Sequence, residues 1–157
     1  MVLLLLVTAC TPRVTVGREV GIRVADGSDH RADLDRVIVT LHDAAFHPAG
    51  QPRDEGWVEL ELTTPTFELG AGGRDGQLVA RGKLPPGMYD RVRVEVADVV
   101  GERQGQRVAV RNIVEPIYLP RPLAGGPADV RIEFIVLPLS PGSAEPYAVY
   151  VKGVTIE

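Results

Sequence analysis

Apolar residues recur at every second position through most of this chain. Val20, Ile22 and Val24 alternate with Gly21, Arg23 and Ala25. Val37, Val39 and Leu41 alternate with Ile38, Thr40 and His42, and Val58, Leu60 and Leu62 with Glu59 and Glu61. Val92, Val94 and Val96 alternate with Arg91, Arg93 and Glu95. Val130, Ile132, Phe134 and Val136 alternate with Arg131, Glu133, Ile135 and Leu137. Successive side chains of an extended strand point to opposite faces, so each run makes one apolar face and one mainly polar face. No stretch long enough for a helix places apolar residues at i, i+3, i+4 and i+7. One wet face per sheet predicts antiparallel pairing.

The 13 prolines and 17 glycines fall mainly between these runs. Pro85-Pro86-Gly87, Gly70-Ala71-Gly72-Gly73, Gly125-Gly126-Pro127 and Ser140-Pro141-Gly142 read as turns. The pattern predicts roughly eight to ten strands, near 14–25, 34–47, 56–62, 65–69, 77–83, 89–100, 107–111, 115–119, 129–138 and 147–156. The fold class is all-β, an antiparallel β-sandwich. The 157 residues fit one folded domain, at 14–157, with no internal repeat or linker.

The amino terminus carries a different signal. Met1-Val2-Leu3-Leu4-Leu5-Leu6-Val7-Thr8-Ala9-Cys10 is too short to span a bilayer but long enough for the h-region of an export signal. No Lys or Arg precedes the run, although such signals normally begin with positive charge. Val7-Thr8-Ala9-Cys10 resembles a bacterial lipobox. That resemblance implies cleavage of residues 1–9 and lipidation of Cys10 by acyl chains such as palmitate. Residues 10–13 then form a short tether, and the membrane is the first partner. The location implied is the cell envelope; in a Gram-negative cell this means the outer membrane or the periplasmic side.

Cys10 is the single cysteine, so an internal disulfide is excluded. Net charge is −4, from 17 basic and 21 acidic side chains, and no basic cluster marks a nucleic-acid surface.

Catalytic constellations are hard to assemble. The histidines are His30, His42 and His47. The last two are an odd number of residues apart and face opposite sides of a regular strand. No serine sits in a Gly-x-Ser-x-Gly elbow. Gly70-Ala71-Gly72-Gly73-Arg74-Asp75-Gly76 looks like a phosphate cradle, but a strand rather than a helix follows it. Asp26, Asp29, Asp33 and Asp35 share one loop and are the candidate ligands for a calcium ion. Arg91, Arg93, Glu95, Arg131 and Glu133 read as solvated strand faces. Tyr89, just after a Pro-Gly turn, is expected to bury its ring and bond a nearby backbone group.

Gly56-Trp57-Val58-Glu59-Leu60, Thr66-Phe67-Glu68-Leu69 and Leu84-Pro85-Pro86-Gly87-Met88-Tyr89-Asp90-Arg91-Val92-Arg93-Val94 together resemble the bacterial domain-of-unknown-function family 4382. The Pro-Gly-x-Tyr segment also resembles transthyretin-like, or prealbumin-like, sandwich modules. The resemblance covers roughly residues 20–157 and implies a secreted or lipid-anchored β-sandwich. It carries over no functional residues. The expected role is non-catalytic binding or structure in the envelope, with no catalytic residue and no cofactor assigned. Expected partners are envelope proteins or glycans and not nucleic acid. The alternatives are a carbohydrate- or calcium-binding accessory domain and, third, an envelope hydrolase.

Overall fold

The computed structural model describes residues 17–28, 33–140 and 142–157. Cys10 with its lipobox and tether, and Asp29 and His30, lie outside them. The described residues are built from strands: β1 Arg18–Asp26, β2 Arg36–Pro48, β3 Val58–Glu59, β4 Glu61–Leu62, β5 Thr66–Glu68, β6 Gln77–Leu84, β7 Met88–Arg103, β8 Gln106–Asn112, β9 Ile117–Ala124, β10 Ala128–Pro138 and β11 Tyr147–Ile156. A 3-10 turn at Gly73–Asp75 is the helical segment among them, and none is long and apolar enough to cross a membrane.

The all-β expectation holds, and every predicted run becomes strand. Pairing is mixed, however. β1 runs parallel to β10 and β8 parallel to β11, while the other pairs are antiparallel. The path reads β3-β2-β7-β8-β11-β10-β1-β6-β4. β8 belongs to both layers. Its first half pairs with β7, through Arg103↔Gln106 to Val100↔Ala109, and its end pairs with β11, through Val110↔Tyr147. The opposite side is laced by residues 58–69. Val58 and Glu59 pair with β2, Glu61 and Leu62 with β6, and Thr66 to Glu68 with β2 again. Between them Leu60 N–H donates to Ala44 O at 2.8 Å. The result is a sandwich nearly closed into a barrel.

The apolar sides of the alternation meet inside. Phe134, Ile22, Ile132, Phe46 and Val39 are fully buried, and Val94 and Leu60 nearly so. Tyr89 behaves as expected: its ring is buried edge-on to Phe46, with centroids 6.5 Å apart, and its hydroxyl donates to Pro85 O at 2.9 Å.

A charged and aromatic face on β2 and β7

The outward side of β7 carries Arg91 and Arg93. Register sets His47 opposite Arg91, Ala45 opposite Arg93 and Asp43 opposite Glu95. The alternation predicts solvated arginines here, but Arg91 is buried and the Arg93 side chain is only 25% exposed. The cause is the loop at 49–57, which folds back over the outer face of the sheet. His47, itself fully buried, holds this loop through Nε2 and Pro52 O at 2.8 Å. Trp57 Nε1–H donates to Arg53 O at 3.2 Å and lays its ring 5.0 Å from the His47 ring.

The hydrogen bonds fix the histidine tautomer. Arg91 Nη2 lies 3.1 Å from His47 Nδ1, and an arginine can only donate. Nδ1 is therefore the acceptor, and the proton sits on Nε2, where Pro52 O receives it. Both ring nitrogens are thus committed. Arg91 Nε also donates to Asp90 at 3.4 Å, and its guanidinium stacks 5.3 Å from the Tyr118 ring, which β9 brings opposite it. Arg93 donates through Nε and Nη2 to both carboxylate oxygens of Asp43 and stacks 4.7 Å over Trp57. Arg53, Asp54, Trp57, Arg91, Arg93 and Pro116 line a cleft of about 220 Å³ here. Three arginines (Arg53, Arg91, Arg93) stand beside three aspartates (Asp43, Asp54, Asp90), with Glu95 exposed next along β7. Tyr118 is 67% exposed at its margin. Fixed donors beside aromatic rings can hold a polar ligand, but guanidinium groups cannot serve as proton acceptors.

The acidic loop is arranged differently. Asp33 accepts from the Tyr147 hydroxyl at 2.8 Å and from Arg103 at 3.4 Å, and Asp35 accepts from Gln104 N–H at 2.6 Å. Asp26 accepts from Ser28 N–H at 2.9 Å. These carboxylates bind the protein itself, and among the described residues no three His, Cys, Asp or Glu side chains come together as a metal site. His42 is exposed at a bulge of β2 while His47 is buried. The glycine-rich loop leads into strand β6, as its sequence indicated. Arg131 and Glu133 are partly covered: Arg131 reaches Arg74 O at 2.8 Å and contacts Glu133 at 3.4 Å.

Protonation follows the same division. Burial raises the pKa of Tyr89, opposed by Arg18. Burial raises that of Tyr147 too, reinforced by its bond to Asp33. Arg103 is raised chiefly by Tyr147 and then by Asp33. Each shift strengthens the form already present at neutral pH.

Sequence reasoning missed Trp57, Tyr118 and the Arg91–His47 contact as parts of one face. The usable signal was the chain's single tryptophan, lying in a loop rich in Pro and Gly beside an Arg-x-Arg strand. The family model described as "Domain of unknown function (DUF4382)" matches residues 19–149. No curated protein and no solved structure matches.

Proposed function

The chain belongs to the DUF4382 domain family, and on that premise we propose that it is a non-catalytic binding module of the cell envelope, lipid-anchored through Cys10 and recognising its ligand with the β2–β7 face. The observation that carries this reading is the double clamp on the arginines. Each guanidinium is held between an aromatic ring and a carboxylate before any ligand arrives. Ordering rotamer-rich side chains beforehand lowers the entropy cost of binding.

One observation favours the carbohydrate form of this reading. The face mixes charges of both signs and presents an exposed tyrosine ring beside fixed donors, which suits a hydroxyl-rich ligand. The calcium alternative draws less support, because Asp33 and Asp35 are already bonded to the β7–β8 hairpin and to Tyr147.

Trp57, as the single tryptophan, makes the face observable by fluorescence. The full-length chain, used as bait in detergent-solubilised envelope, is expected to capture a ligand that changes Trp57 emission. Tyr118→Ala should lose that ligand with little change in stability. Equal capture by Tyr118→Ala and Trp57→Ala proteins would refute the assigned face. Separately, Cys10→Ala should leave the precursor uncut and mislocalised, and intact mass should show an acylated cysteine in the wild type. An unmodified Met1 on a cytoplasmic protein would overturn the anchoring.

A further inference from the structure

A second cleft, of about 640 Å³, lies where β1 begins, between the end of β6 and the turns at Pro86–Gly87 and Gly125–Gly126. Its walls are mostly backbone and small residues. Three charged side chains line it: Arg18, Glu19 and Lys83. Lys83 and Glu19 are 70% exposed and 3.9 Å apart, a solvated pair. Arg18 is different. It is only 9% exposed, and its Nε and Nη1 are buried with no hydrogen-bond partner among the described residues. One donor is used, from Nη2 to Gly87 O at 3.2 Å. The neighbouring Tyr89 hydroxyl gives its hydrogen to Pro85. A buried guanidinium with unmet donors is costly, and such groups ordinarily pair with a carboxylate or other anion. Whichever hydrogen of Nη2 serves Gly87, a two-donor edge of the guanidinium stays open, and that fork matches an oxyanion.

We propose that this cleft binds the acid group of a small polar molecule, about the size of a monosaccharide, with its carboxylate or phosphate oxygens on Arg18 and Lys83 assisting at the rim. This site is separate from the β2–β7 face and does not depend on it. The volume falls in the range of small-ligand sites. Binding uncovers these nitrogens beside Gly125 and Gly126, which line the cleft without side chains. Arg18 brings the fork, while exposed Lys83 adds a second positive charge without fixed geometry.

The test uses the full-length chain in neutral detergent, titrated by calorimetry with glucuronate, glucose 6-phosphate and glucose. At least one of the two acids is expected to bind and glucose is not; which acid wins separates a carboxylate from a phosphate ligand. Arg18→Met should weaken acid binding by about tenfold or more, the scale of one lost charge-assisted bond. It should also keep or raise Tm in the absence of ligand, because it removes an unpaired buried charge. A purely structural arginine would instead lower Tm. Lys83→Gln, at an exposed position, should weaken binding a few-fold with the fold intact. Trp57→Phe should leave acid binding unchanged. Failure of both acids, equal binding of glucose, or full binding by Arg18→Met would overturn the proposal.

Discussion

Single side chains here often do something their position in the alternation does not reveal. Phe134 follows the pattern: it faces inward and is fully buried. Phe134→Ala should cost about 3–5 kcal/mol in urea denaturation. Arg93 faces outward, as the pattern requires, yet it stacks on Trp57 and bridges Asp43 with both side chains about three-quarters covered. Arg93→Ala should therefore cost about 1–2 kcal/mol, well above an ordinary surface change. A loss under about 0.5 kcal/mol would show that the clamp adds nothing to stability. Outward direction is legible in a sequence because it depends on neighbours along the strand. Cover by a loop from elsewhere is not, because it depends on where residues 49–57 return. The tyrosines carry a pH signature. Tyr89 and Tyr147 both sit above the ordinary value of 10.0, chiefly through burial. The folded state thus keeps its phenolic protons to higher pH than the unfolded chain. Their stabilisation is whole below pH 10.0 and is lost as pH climbs through the raised values. Denaturant titrations at about pH 8 and about pH 11 should show a smaller alkaline loss in Tyr147→Phe than in the wild type.

At the level of strands and turns, alternation located the elements well and their partners poorly. Period two is the same in parallel and antiparallel strands, so the β1–β10 and β8–β11 pairings carry no local mark. The alternation predicts a strand near 115–119, ahead of Pro120 and Pro122. β9 continues to Ala124, pairing with β7 at Tyr89↔Leu123 and shifting register before Arg91. An edge strand tolerates proline where no ladder donor is required. The β7–β8 hairpin does obey local chemistry. Gln104 and Gly105 both have positive φ, 52° and 74°, as a two-residue type I′ turn demands. Glutamine is a poor occupant of that first position and asparagine a good one. Gln104→Asn should stabilise the protein by about 0.5 kcal/mol, raising Tm by about 1–2 °C. The Gln104 N–H bond to Asp35 uses backbone and should survive the change.

The whole molecule is defined by how its edges are hidden. β8 joins the two layers on one side, and residues 58–69 stitch β2 to β6 on the other. In the sequence this second seam looks like an ordinary strand at 56–62. Only the structure shows it splitting at Leu60 to serve two sheets. Leu60→Ala should cost about 2–4 kcal/mol as a buried truncation. Leu60→Pro should cost more, since it also removes the donor to Ala44 O. Opened edges template association with other chains, so light scattering should show Leu60→Pro forming oligmers while Leu60→Ala stays monodisperse at equal concentration.

The place of β1 has a mechanical consequence. It is an interior strand, hydrogen-bonded along one side to β10 and along the other to β6. A pull transmitted through the chain ahead of residue 17 acts along the axis of this strand. It loads both ladders in shear, so many hydrogen bonds must give way together instead of peeling off singly. Survival under load is then a question of unfolding rate, and a strand gripped on both sides should yield slowly. A domain tied to a surface by that end would hold its shape while being dragged, and its weakest point would lie elsewhere than at its attachment.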